Sequence, residues 1–132
     1  MKSSGLSRLT PYLLSVLRLV AAFVYIAHGT QKLFGVPGHP FHAPVMAATM
    51  MTAAGVLETI GGSLMFLGLF SRPVAFVLSG QMAFAFFTQH FPRAFWPILN
   101  GGELAVLFCF LWLFFTVAGP GPISIDALRG KR

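Results

Sequence analysis

Apolar residues run along this chain in four long blocks, at about 12–34, 46–70, 73–90 and 98–118, and each block ends in a cluster of glycine and proline. At 1.5 Å per residue a bilayer crossing takes about 20 residues of helix, so each block approaches or exceeds spanning length. Backbone groups in lipid must be satisfied within their own segment, which makes these blocks helices and not strands. The breaks are Gly35-Val36-Pro37-Gly38-His39-Pro40, Ser71-Arg72-Pro73, the stretch from Phe91-Pro92-Arg93 to Trp96-Pro97, and Gly119-Pro120-Gly121-Pro122. The pattern predicts an all-α, integral membrane four-helix bundle, one domain over residues 1–132, with a tail at 119–132.

Composition strengthens that picture. The chain is 56% hydrophobic and 9% charged, with a mean hydropathy of +0.79, against roughly 25% charged residues in a soluble domain. The net charge of +6 does not mark nucleic-acid binding, because the basic residues sit at segment ends rather than in one patch. They set topology instead. Lys2, Arg8, Arg72, Arg129, Lys131 and Arg132 fall on one side, and only Lys32 and Arg93 on the other. The positive-inside rule then places both termini and the Arg72 turn in the cytoplasm of a bacterial inner (plasma) membrane crossed several times. The first block carries Arg18 and Lys32 and is too long for a cleaved signal peptide. The single cysteine, Cys109, excludes an intrachain disulfide or a CxxC redox pair.

Candidate chemistry lies where polar residues interrupt the apolar blocks. Glu58 stands in the middle of the second block, and a carboxylate at that depth costs at least ~2.5–3.5 kcal/mol on insertion scales unless it has a partner or a task. On the first helix Arg18, Tyr25, His28 and Lys32 are spaced 7, 3 and 4 apart, which puts them on one face. Gly29 borders that face and would let a second helix approach closely. Gln81, Thr88, Gln89 and His90 follow on the third helix, and Asn100 and Glu103 on the fourth. The simplest pairing joins Lys32 to Glu103 near the outer surface and Arg18 or His28 to Glu58 deeper in. These contacts would be either helix-registering glue or a functional site.

The outer-loop histidines, His39 and His42, read as solvated, since a metal site needs three or four ligands and an ordered second shell. Haem ligation by His28 and His90 is disfavoured by their different depths. No metal site is predicted. Thr30-Gln31 recurs as Thr88-Gln89, and Glu58 and Glu103 each sit beside glycines, a faint sign of a duplicated hairpin.

These residues also carry a resemblance. The run from Arg18-Leu19 through Tyr25-Ile26-Ala27-His28-Gly29-Thr30-Gln31-Lys32-Leu33-Phe34-Gly35, the segment Gly55-Val56-Leu57-Glu58-Thr59-Ile60-Gly61-Gly62, the stretch from Met82 to His90, and Asn100-Gly101-Gly102-Glu103 resemble DoxX-type membrane proteins in order. The end, Gly119-Pro120-Gly121-Pro122-Ile123-Ser124-Ile125-Asp126-Ala127-Leu128, is similar to the family's "GPGRWSLDALL", with Pro122-Ile123 in place of Arg-Trp. The resemblance implies a four-helix membrane fold. It also implies association with quinone-linked or oxidant-detoxifying systems, and polar motif positions at His28, Gln31, Lys32, Glu58, His90, Asn100 and Glu103.

The leading expectation is therefore a membrane subunit of a redox system that binds a quinone headgroup between its helices. Glu58 and Glu103 would relay protons as the catalytic pair, and Arg18, Tyr25, His28, Gln31, Lys32, Gln81, His90 and Asn100 would line the substrate site. The chain shows no electron carrier of its own, so enzyme activity would need a partner oxidoreductase subunit supplying a flavin or metal. A homo-oligomer in the lipid bilayer is also compatible. Two alternatives stand beside it: a non-catalytic anchor or assembly factor docking a partner through the Arg72 turn and the basic tail, and a small-metabolite transporter.

Overall fold

The structure, a computed structural model, describes residues 5–39 and 45–131, with the side chains of the second helix from Ala48 onward. The outer-loop His42 and the terminal Lys2 and Arg132 lie outside the described residues. The fold is all-helical, with 79% of the chain in helix and no strand among the described residues.

A 3₁₀ turn at Gly5–Leu9 leads into α1 (Thr10–Phe34), whose second residue is the proline favoured at a helix start. Gly35 closes α1 at φ 70°, with its N–H donating to the Gln31 carbonyl oxygen. α2 spans Val45–Leu67 and α3 spans Ser71–Ala85, joined by a turn in which Gly68 and Phe70 both adopt positive φ. α3 runs on through a single π-helical turn, Phe86–His90. A short α4 (Pro97–Asn100) precedes α5 (Glu103–Ala118), and a one-turn α6 (Ile125–Leu128) ends the chain.

The predicted fourth helix is thus two pieces. Gly101 takes the left-handed conformation (φ 71°) and its N–H donates to the Pro97 carbonyl oxygen, so α4 is capped before α5 begins. The hydropathy of 98–118 hides this break, because glycine is as compatible with an apolar block as with a cap. The expected reversal at Ser71-Arg72-Pro73 likewise falls three residues earlier, at residues 68–70.

α1 packs chiefly on α2 and α3 on α5, and α2 meets α3 to join the two hairpins. Small residues set the α1–α2 distance: a Cβ on Gly29 would lie 2.4 Å from Thr59 Oγ1 and 2.6 Å from the Thr59 backbone nitrogen. Close approach of this kind is what interhelical glycines allow. Tyr25, Phe108 and Trp112 stack around the bundle axis, with Tyr25 meeting the two rings at 5.1 and 5.2 Å, and tie α1 to α5.

The outside is apolar. Phe23 of α1, Phe76 of α3 and Phe110 of α5 are all more than 60% exposed, while Arg18, Glu58 and Asn100 are buried. Water would penalise such a surface, and hydrocarbon would not. Two helices, Gly5–Phe34 and Ala48–Leu67, are long and apolar enough to cross a membrane, and Glu103–Ala118 is a shorter apolar helix.

Candidate functional site

Glu58 lies on the inner face of α2 between Gly55 and Gly62, two positions at which a side chain would collide with α1. That close approach draws the Lys32 stem along α2, where a Cβ on Gly55 would come 3.1 Å from Lys32 Cβ. The ammonium reaches inward and donates to Glu58 Oε2 at 2.6 Å. The structure therefore pairs Lys32 with Glu58, not with Glu103, and neither Arg18 nor His28 takes the Glu58 partner role.

The second carboxylate oxygen is also occupied. Glu58 Oε1 accepts from Gln81 Nε2 at 3.1 Å, and Gln81 Oε1 accepts from the Tyr25 hydroxyl at 3.0 Å. The result is an unbroken chain, Lys32–Glu58–Gln81–Tyr25, contributed by α1, α2 and α3. A buried ion pair is tolerable only when its remaining polar atoms are also bonded, and Gln81 supplies that bond here.

These four residues line a cleft of about 660 Å³ between α1, α2, α3 and α5. His28, His90 and Arg93 line it as well, and Met50, Met51, Phe84 and Phe108 give it an apolar wall. Volume and lining fall within the range of small-molecule sites. Lys32 has three N–H donors and uses one on Glu58, so the cleft keeps donors for a ligand. Sequence reasoning counted Arg93 only as a topology charge; no helical periodicity reaches it, because it sits in the turn after the π-helical segment.

Tyr25, His28, Lys32, Glu58, Gln81 and His90 thus converge, and the other predicted residues do not. Gln31 faces the turn after α1, where Gly38 approaches its amide nitrogen. Asn100 is buried but committed to its own loop: its side chain donates to the Ala94 carbonyl oxygen at 2.9 Å and accepts from the Gly102 N–H at 2.8 Å. Its carbonyl oxygen lies 3.1 Å from His90 Nδ1, so it positions a residue that lines the cleft. Glu103 is exposed at the first turn of α5 and outside the cleft, because the Gly101 break re-aims the chain just before it. Glu58 and Glu103 do not share a cavity.

Arg18 does a different job at the opposite end of α1. Buried at 1% exposure, it donates to the carbonyl oxygens of Pro120 (2.9 Å), Phe66 (2.6 Å), Met65 and Ile123. These acceptors lie at the end of α2, where helix carbonyls run out of helical partners (Met65 also accepts from the Gly68 N–H), and in the segment after α5. Asp126, given no task by sequence reasoning, completes the clasp by accepting from the N–H groups of Phe70 and Ser71 at 3.0 and 2.8 Å. Burial alone would raise the Asp126 pKa, but the Ser71 and Phe70 hydrogen bonds and the Arg129 charge outweigh it and hold the carboxyl below its ordinary value. Arg72 donates to the Thr116 and Val117 carbonyl oxygens. Arg72 nevertheless stays exposed, as do Arg129 and Lys131 of the tail, while Ser124 and Asp126 are buried.

Among the described residues no cluster of histidine, cysteine, aspartate and glutamate is placed to hold a metal. Cys109 lies beside Ser79, whose hydroxyl donates to the Cys109 carbonyl oxygen at 2.8 Å.

A helical fold with an apolar exterior and a polar cleft defines a membrane-associated helical protein, and the comparisons give its family. The DoxX family model matches residues 13–91, and the chain belongs to the DoxX family. An "Uncharacterized protein" of Haemophilus influenzae is 40% identical over 127 residues, covering 93% of this chain and 95% of its own length. No solved structure matches.

Proposed function

We propose that the chain crosses a bacterial inner membrane four times as a subunit of a redox or oxidant-detoxifying system, and that its cleft receives a quinone-type headgroup. The carrying observation is the Lys32–Glu58–Gln81–Tyr25 chain on the wall of a cleft with apolar surroundings. A quinone ring needs hydrogen-bond donors at its carbonyls and apolar surface on its faces. The unspent Lys32 donors and His28 fit the first need, and Phe84, Phe108 and the methionines fit the second.

Ring reduction would be the ligand's chemistry, with electrons from a flavin or metal subunit. This chain's own residues bind and orient the ring and keep Glu58 beside Lys32, where a proton can pass between carboxylate and cleft. Gln81 holds the Glu58 carboxylate in one orientation, and Tyr25 fixes Gln81 in turn.

The test uses Trp112, buried against Tyr25, as a reporter in a Trp96→Phe background, which removes the other tryptophan. A short-chain dimethoxybenzoquinone should quench it saturably, and Lys32→Met should abolish the saturable phase. Quenching that is only collisional, or unchanged in Lys32→Met, sinks the reading.

A further inference from the structure

A second hollow lies on the outer surface between α2 and α3. It has a volume of about 290 Å³ and is lined only by apolar residues and Gly61, among them Ile60, Leu64, Val74 and Val77. Gly61 and Leu78 form its floor, where a Cβ on Gly61 would come within 2.6 Å of Leu78 Cδ2. One residue, Leu57, lines both this groove and the polar cleft. From Leu57 to Leu64 the groove follows α2 for about 10 Å.

A hydrocarbon tail attached to a ligand in the cleft has two conceivable directions, inward along the bundle axis or outward past Leu57. The inward direction is closed. Tyr25, Met65, Leu78, Trp112 and Phe115 fill the axis at no more than 1% exposure each, packed without space for a chain. The outward direction passes one partly exposed leucine and enters a continuous apolar trough.

We infer that the groove between α2 and α3 is the tail subsite of the cleft, so that the ligand is a membrane lipid with a polar ring head and a hydrocarbon chain, not a water-soluble metabolite. This rests on the quinone-type reading of the cleft and deepens it by naming the ligand class and its route. The head enters laterally from the bilayer between α2 and α3, and the tail stays in the trough, in contact with surrounding lipid. Leu57 stands at the junction of the two compartments.

The experiment is photo-crosslinking in nanodiscs. The full-length protein is exposed to a benzoquinone whose alkyl tail carries a diazirine, and labelled peptides are mapped by mass spectrometry. Label should concentrate on Ile60, Leu64, Val74 and Val77, and excess tail-less dimethoxybenzoquinone should suppress it. Val77→Phe and Ile60→Phe, both at outward-facing positions and neither adding a tryptophan, should each cut groove labelling severalfold while leaving saturable Trp112 quenching by the tail-less compound unchanged in the Trp96→Phe background.

Label spread over Phe23 and Phe110, or groove label that the tail-less compound does not suppress, would mean ordinary contact with annular lipid and would overturn the inference. Loss of tail-less binding in both phenylalanine variants would merge the groove with the head site and overturn it too. Failure of the tail-less compound to quench wild-type Trp112 would bring down the cleft assignment itself, and the tail subsite with it.

Discussion

Lys32 and Glu58 are coupled closely enough that removing either one should be worse than altering both. Lys32→Met leaves a buried carboxylate with only its Gln81 bond and should cost about 1–3 kcal/mol of stability. Adding Glu58→Gln should recover part of that loss, a non-additivity expected of residues in one network, read as thermal midpoints in detergent. Asp126 makes a pH-dependent prediction. Because its folded pKa is depressed, its contribution is fully present above the ordinary carboxylate value of about 3.9 and is lost as pH falls through the lower folded value. The midpoint difference between wild type and Asp126→Asn should therefore be largest near neutral pH and shrink below about pH 4; a difference that does not change with pH would refute this role. At this scale the sequence marked the interrupting residues well, since an ionisable group inside an apolar block stands out. It did not mark partners. Lys32 reaches Glu58 because of Gly29 and Gly55, and the interhelical distance they set is invisible in a residue's own depth.

Helix α1 meets α2 through glycine, whereas the middle of α3 carries a glycine with nothing opposite. A Gly29→Ala methyl would strike the Thr59 backbone, which cannot turn aside as a side chain can, and should cost about 1–3 kcal/mol as the helices part. Gly80 has no atom within 4 Å of its would-be Cβ, so Gly80→Ala should stabilise by up to about 1 kcal/mol through helix propensity. Unfolding of both variants under one condition checks the pair, and equal effects would contradict the packing. Element existence was legible from hydropathy, because lipid-facing helices need length and apolarity and little else. Element ends were less so: the Gly101 break and the π-helical turn at Phe86–His90 are local backbone conformations, and the polar residues beside them mark chemistry as readily as they mark a break. The broken fourth helix is what removed Glu103 from the cleft.

Across the whole molecule, the ends of α1 and α3 share one pole with Lys32 and Arg93, and the α2–α3 turn, the tail and Arg18 share the other. The proposed orientation is checked by cysteine labelling in a Cys109→Ala background. Val36→Cys should react with a membrane-impermeant maleimide on intact cells, and Leu128→Cys only after permeabilisation; both positions are exposed. The reverse pattern would invert the topology. Both carbonyl oxygens that Arg18 takes from beyond α5 belong to residues 102 and 105 positions later in the chain. The guanidinium can meet Met65 and Phe66 once α2 is made, but its other two acceptors come only after α5. A chain truncated after Ala118 would leave that charge short of Pro120 and Ile123, inside a helix meant for lipid. The segment after α5 thus acts as a late-delivered solvation shell for α1: its carbonyl dipoles take the place of the water that a charge buried early in the chain has given up.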